Sequence, residues 1–273
     1  MPKPGRLPVD FGKAAADYGR YRQGFPEEFF ARLDELGIGR AGQRILDLGT
    51  GTGLLARALA RRGCVVTGLD PSEDLIEEAR RADAEAGLRI EYVRGFAEAT
   101  GLVAGSFDVV CAATCWQWFD QLRAAREACR LLAPGGALVI AQLDRLRLPG
   151  NVVKATLDLI DRYAGPRRKA RTRPGLEYPA GTGPLSAAGF RAWEVFGFTT
   201  TLSYSHAAWK GRTHASPRVG PVMDAARLAA FDEALARMLA KRFPQDPLAV
   251  DHRVFALVAW TGHPLGRRSL PPA

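Results

Sequence analysis

The chain has 273 residues, 47% of them hydrophobic, enough to bury a full core and too apolar for a disordered chain. Its four cysteines form no CxxC pair and its four histidines no HExxH, which argues against a disulfide framework and against a metal site. The net charge of +9 is local: Arg162, Arg167, Arg168, Lys169, Arg171 and Arg173 fall in one Gly/Pro-interleaved segment without an acid, Arg267 and Arg268 lie in the tail, and the rest is nearly neutral. Such a segment reads as a solvated loop or as an attractor of anionic substrate or nucleic acid. No basic-then-apolar leader opens the sequence, and no apolar run approaches the roughly 20 residues of a membrane span, so a soluble, cytoplasmic protein with no membrane partner is expected.

In chain order, "PEEFFARLDELGIG" sets Phe29, Phe30, Leu33 and Leu36 at helical spacing and stops at Gly37. Strands and helices then alternate. "RILDL" is a strand, "LLARALARRG" a helix closed by Gly63, "VVTGLD" a strand, and "SEDLIEEARRADAEAG" a helix with Ser72 at its N-cap. "RIEYV" and "FDVVCAAT" are the third and fourth strands, "DQLRAAREACRLLAPGG" a helix with an Ala-Pro-Gly-Gly stop, and "ALVIAQL" the fifth strand. This alternation means a doubly wound, mostly parallel α/β sheet whose ligand crevice lies at the carboxyl ends of its strands.

Beyond it, "NVVKATLDLIDRYAG" is helical, "WEVFGFTTTLSYS" alternates as a strand does, Ala225 to Arg242 is helical, and "HRVFALVAW" is a last strand. Seven strands are expected in all, with the helical insertion as a cap. No separate second core is legible, so the reading is one domain over 1–273: an N-terminal helical segment (1–43), a ligand-binding core (44–147), and the cap insertion with closing strands (148–273).

The chemistry concentrates in "RILDLGTGTGLLARALARRGCVVTGLD". A dinucleotide fingerprint reads GxGxxG, but Gly49, Gly51 and Gly53 give GxGxG, with Leu54 where the third glycine belongs. Asp47, just ahead of the loop, would put negative charge near a pyrophosphate. A ligand carrying a positive amino group fits better. In this loop the sequence resembles the class I S-adenosylmethionine-dependent methyltransferases.

The resemblance implies that Asp47, Gly49, Thr50, Gly51 and Gly53 lie against the methionine and ribose parts of the cofactor, and that Asp70, followed by Pro71, receives the ribose hydroxyls. In "GFAEAT", Glu98 and the amide of Ala97 resemble the family's adenine site. "FDVVCAATCWQWFD" is similar to the fourth-strand end of a small-molecule branch that includes trans-aconitate and quinone methyltransferases, which implies that Thr114 and Trp116 contact the cofactor. "LLAPGGALVI" resembles the fifth-strand signature. Tyr18, Tyr21 and Arg22 match an N-terminal segment that folds over the cofactor in this branch, or else belong to an amphipathic turn. "SYSHAAWKGRTHAS" resembles a substrate-side segment in which its two histidines and Trp209 face the acceptor, or else a packed corner.

Where the branch reads Cys-Trp-His-Trp-Phe-Asp, this chain has Gln117 in place of the histidine. An amide cannot take a proton at neutral pH. Any base must then come from elsewhere, with His214 and Tyr204 as candidates, while Gln117 orients the acceptor. Methyl transfer needs mainly alignment, worth roughly 7 to 11 kcal/mol. The resemblance implies O-, N- or C-methylation of a small organic acceptor, with bacterial secondary metabolism as its setting, using S-adenosylmethionine and leaving S-adenosylhomocysteine. A homodimer is one possible assembly. The alternatives are a tRNA or other nucleic-acid methyltransferase, disfavoured by the absence of an Asn/Asp-Pro-Pro-Tyr/Phe motif, and a non-catalytic protein that binds the cofactor for regulation.

Overall fold

A computed structural model describes residues 21–165, 182–216, 218–220 and 222–262. Tyr18, the basic residues Arg167, Arg168, Lys169, Arg171 and Arg173, His263, and Arg267 and Arg268 of the tail lie outside the described residues.

After helix α1 (Glu27–Glu35), strands β1 (Arg44–Leu48), β2 (Val65–Asp70), β3 (Glu91–Arg94) and β4 (Phe107–Ala113) alternate with helices α2 (Leu54–Arg61) and α3 (Glu73–Glu85). A 3-10 turn at Trp116–Trp118 leads into α4 (Gln121–Leu131) and β5 (Leu132–Arg145). Then come α5 (Val152–Ala164), α6 (Gly183–Ala188), β6 (Ala192–Tyr204), α7 (His206–His214), α8 (Ala225–Arg242) and β7 (Leu248–Trp260). The strands make one seven-stranded sheet in the order β3-β2-β1-β4-β5-β7-β6, and β1 to β5 pair in parallel. The expected doubly wound α/β architecture is the one observed.

The chain folds as two compact units. The larger comprises residues 24–143, 176–198 and 254–273. Its central strands read as unbroken apolar runs because both faces of the sheet are covered, and alternate side chains go to opposite faces. Leu46, Leu48, Val110, Ala112, Leu138 and Ile140 enter one cluster, against Ala124, Ala125 and Ala128 of α4. Ile45, Val109, Cys111, Val139 and Ala141 enter the other, against Phe29 and Leu33 of α1 and Leu55 and Leu59 of α2. The alanine face of α4 allows close approach to the sheet, while fully burying Phe29 contributes about 1.5 to 3 kcal/mol.

Three local expectations change. Ser72 stands at the start of α3, but its side chain makes no capping bond; the Asp70 carboxylate instead takes the Ser72 N–H at 2.9 Å. The Ala-Pro-Gly-Gly stretch is not a loop: β5 begins at Leu132, and the extra residues form an irregularity where the register moves from Phe107↔Leu132 to Val109↔Ala137. The short α6 and the helix α7, inside the segment taken as a substrate-side stretch or corner, carry little apolar periodicity and were not legible.

The second unit takes in residues 1–23, 144–175 and 199–253. It has a hydrophobic cluster of its own, unlike the sequence reading: Val153, Leu159 and Ile160 of α5, Trp209 of α7, Phe231, Leu235 and Leu239 of α8, and Leu248 and Val250 of β7. Asn151, Ser205 and Asp224 cap α5, α7 and α8 by accepting N–H bonds at 2.8 to 3.0 Å. Of the basic segment, Arg162 falls in the last turn of α5.

Candidate functional site

Strand order reverses between β1 and β4, and at such a switch point the carboxyl ends of neighbouring strands diverge into a crevice. The glycine loop leaves β1 here. Gly49 has φ +62°, and a Cβ on it would stand 2.9 Å from the Cβ of Cys115 and 3.3 Å from the Phe119 ring, so only glycine lets the loop pass beneath the end of β4. Gly51, at φ +57°, is the opposite case: a Cβ there would meet nothing within 4 Å. Its face is open, a bare-backbone surface with room for a ligand. The loop is tied by Thr50 N–H to Leu69 O at 3.0 Å and by Gly53 N–H to Thr50 O at 3.0 Å.

Two buried carboxylates flank this loop. Asp47 is 2% exposed and accepts a hydrogen bond from the Thr50 hydroxyl at 2.7 Å. Burial lifts its pKa to about 7, with the Thr50 bond and the Ala56 backbone opposing the rise and the charge of Asp70 adding to it. Asp70 accepts from Gly51 N–H and Ser72 N–H, each at 2.9 Å, and burial holds its pKa above the usual value against both bonds. Each carboxylate oxygen has two acceptor sites, so Asp70 keeps capacity for further donors. Pro71 follows, its carbonyl accepting from Arg94 Nε at 3.3 Å.

The β3 and β4 ends complete the rim. Ala97 is buried, and Glu98 is half-buried with Oε1 accepting the Asp120 N–H at 2.8 Å, so one of its oxygens is already engaged in fixing the start of α4. Thr114 has φ +58°, a left-handed backbone that is a clear outlier for a β-branched residue; its N–H is tied to Ala141 O at 2.8 Å. Strain of this kind concentrates at functional sites. Cys115 donates its thiol to Leu48 O at 3.1 Å, Trp116 is buried edge-on to Phe119 at 5.9 Å, and Trp118 is 45% exposed.

Gln117 is not a free amide. Its Nε2 donates to Thr114 O at 3.0 Å, and its Oε1 accepts from the buried Gln142 at 2.7 Å. Gln142 is a partner the sequence did not offer: the contact depends on β4 and β5 pairing side by side. All four cysteines are free thiols, three of them buried, and burial raises the thiol pKa of Cys111 and Cys115 well above the ordinary range.

Tyr21, Arg22, Tyr204 and His214 belong to the second unit. The Tyr21 ring fills the space a side chain on Gly211 would need. Tyr204 is buried, its hydroxyl 3.2 Å from His252 Nε2, and burial raises its pKa; the charges of Arg212, Arg145 and Arg22 oppose the rise. His214 is held by Asp232 at 2.6 Å, a carboxylate that also pairs with Lys210 at 2.8 Å, so its Nε2 is engaged within the helical layer. Trp209 is wholly buried, with Nε1 bonded to Thr156 Oγ1 at 3.0 Å, and the histidine opening α7, His206, bonds to the Phe243 and Gln245 carbonyls at 3.0 Å.

The loop suits a small ligand that brings a cation and hydroxyl donors: an open glycine face lies between a desolvated carboxylate and a second one with acceptor capacity to spare. Residues 46–140 match the methyltransferase domain model. The chain is 34% identical over 168 residues to an uncharacterized methyltransferase of Mycobacterium tuberculosis, a match over 62% of this chain and 65% of that protein, so it spans just under two-thirds of that relative's length. It is 37% identical to the ubiquinone biosynthesis O-methyltransferase of a Caulobacter species, over 51% of this chain and 58% of that protein. It is similar in structure to a candidate type II methyltransferase from Anaeromyxobacter dehalogenans, with TM-score 0.61, 25% identity, and coverage of 88% of this chain and 98% of that one. Residues 46–140 thus carry a methyltransferase domain.

Proposed function

We propose that the protein transfers a methyl group from S-adenosylmethionine to a small organic acceptor at oxygen, nitrogen or carbon. The observation that carries this is the open backbone face of Gly51 between the buried carboxylates of Asp47 and Asp70 at the sheet's switch point. The cofactor supplies a methyl already activated by its sulfonium. In this reading Asp47, Gly49, Thr50, Gly51 and Gly53 hold the amino-acid end, Asp70 beside Pro71 holds the ribose hydroxyls, and Ala97 and Glu98 hold the adenine edge. Thr114 and Trp116 shape the end of β4. Gln117, braced by Gln142, acts by position and takes no proton.

Tyr204 is engaged with His252 through its hydroxyl, and His214 bonds Asp232 through Nε2, an arrangement that leaves its Nδ1 to accept a proton; alignment remains the main catalytic contribution in this reading. Tyr21 and Arg22 keep their assignment from the resemblance alone. Residues 148–273 are read as the cap and closing strands of one methyltransferase domain. No described helix is long and apolar enough to cross a membrane; in this reading the reaction takes place in the cytoplasm, on a dissolved acceptor. The test is transfer of labelled methyl from S-adenosylmethionine to a panel of phenols, amines and carboxylic acids, with calorimetric titration of the cofactor in parallel. Absence of cofactor binding by the folded chain would refute the proposal, and cofactor binding without transfer to any acceptor or to tRNA would favour the regulatory alternative.

A further inference from the structure

Within the larger unit, three residues stand in register across β3, β2 and β1: Tyr92 pairs with Gly68, and Gly68 with Asp47. Register neighbours point to the same face of a sheet. Glycine in the middle leaves a gap in the row, and the Tyr92 ring leans into it. A Cβ on Gly68 would stand 2.6 Å from Tyr92 Cε1, 2.7 Å from its Cδ1 and 3.0 Å from Thr50 Cγ2. The phenol end carries on to the far side of the glycine loop, where a Cβ on Gly53 would stand 2.5 Å from Tyr92 Oη and 2.9 Å from Arg57 Nη1. Neither glycine can take a side chain while the tyrosine keeps its place.

The tyrosine is held from behind. It is buried, and it packs with Ile76 and Ala79 of α3 in a small cluster apart from the two that sandwich the sheet. Arg57 of α2 and Asp83 of α3, both buried, pair at 3.1 Å, and Arg57 Nη1 lies 3.5 Å from Ala79 O. This pair ties the helix that starts at the glycine loop to the helix against which the Tyr92 ring packs. Gly53 opens α2 at φ +74°, its carbonyl accepting the Arg57 N–H at 2.9 Å. Burial, and then the charge of Asp83, raise the phenol pKa above its ordinary value, so Tyr92 stays neutral and acts by shape.

We propose that Tyr92 is a positioning residue for the cofactor: its ring, covering Gly68 and reaching Gly53, holds the turn of Gly49 to Gly53 in the conformation that receives S-adenosylmethionine. The inference rests on the cofactor reading of that loop and adds to it a residue of β3 outside the loop motif. Gly49, Gly51 and Gly53 all have positive φ, and glycines lose the most backbone freedom when a conformation is fixed. A rigid side chain that fixes the turn before the ligand arrives removes that cost from binding. Tyrosine suits the task because it offers a large surface with only two side-chain torsions to order.

The experiment is calorimetric titration of the full chain with S-adenosylmethionine, together with hydrogen exchange of the chain without it. The variants are Tyr92→Leu, Tyr92→Phe and Gly68→Ala, with Leu33→Ala, a buried residue of α1, as the control for lost stability. Gly68 is not in a left-handed conformation, so alanine there acts through the ring and not through backbone strain. Tyr92→Leu and Gly68→Ala should each weaken binding about tenfold or more, while Tyr92→Phe, which keeps the ring over Gly68, should stay within about threefold of the wild type. The first two should also speed exchange of the Gly51 and Gly53 amides, which are held by Asp70 and by Thr50 O. Leu33→Ala should lower the melting temperature and leave affinity and loop exchange unchanged. Thermal melts establish folding, and whichever of Tyr92→Leu and Gly68→Ala folds decides. Undiminished affinity with unchanged loop exchange in that variant, a loss in Tyr92→Phe as large as in Tyr92→Leu, or an equal loss in Leu33→Ala would overturn the proposal. A wild-type chain that binds no S-adenosylmethionine would instead refute the cofactor reading, and loop exchange would still decide whether Tyr92 holds the turn.

Discussion

The carboxyl of Asp47 makes the binding of a cationic cofactor measurable as a proton-linked event. Burial raises its pKa from 3.8 to about 7, a shift of about three units, or roughly 4 kcal/mol at about 1.4 kcal/mol per unit. Between about pH 4 and 7 the folded chain therefore keeps a proton that the unfolded chain has released. Stability is greatest below the unfolded value and falls as pH rises through that window, by up to about 1.4 kcal/mol per unit. A ligand ammonium beside Asp47 favours the ionised form, so binding expels the proton. The affinity for S-adenosylmethionine should accordingly rise with pH, at most about tenfold per unit, and level off near pH 7, while the ligand's amino group stays protonated. Asp47→Asn should bind weakly at every pH and lack the slope, and without cofactor it should lose less stability than the wild type between pH 5 and 7. Titrations from pH 5 to 7.5 at constant ionic strength, with denaturant melts, test both halves. A flat affinity in the wild type, or the same slope in Asp47→Asn, would refute the argument.

Asp70→Ala removes the acceptor for Gly51 N–H and Ser72 N–H as well as the proposed ribose contact, so calorimetry should show at least about a tenfold loss of cofactor affinity and denaturant melts a stability loss of about 2 kcal/mol. Gln117→Ala strands the buried Nε2 of Gln142 and should cost about 1 to 3 kcal/mol of stability, although Gln117 itself is exposed, and should leave the pH profile of turnover unchanged. Thr114→Gly relieves a left-handed backbone worth roughly 1 to 2 kcal/mol at a smaller cost in chain entropy, so the melting temperature should rise by about 2 to 4 °C; a fall would show that the threonine side chain holds the loop.

The doubly wound core was legible in the sequence because its signals are local. Both faces of the central strands are buried, so "RILDL", "VVTGLD" and "FDVVCAAT" read as apolar runs, and glycines close the turns between them. The loop of Gly49 to Gly53 and its two flanking aspartates were legible for the same reason: a tight turn and the carboxylates beside it are neighbours in sequence. Ser72 does stand at the N-cap position, but its side chain accepts no N–H there, and its own N–H is held by Asp70 two residues back.

What the sequence could not determine depends on pairing between distant segments. The sequence offers Gln117 as an orienting amide and His214 as a candidate base, but only the pairing of β4 with β5 sets Gln142 against the one, and only α8 brings Asp232 to the other. The sequence determined the fold, the cofactor loop and the residues available for chemistry. Tertiary structure decided which of those residues are already engaged, because a hydrogen-bond partner or a buried charge is a property of the space around a side chain and not of its neighbours in the chain.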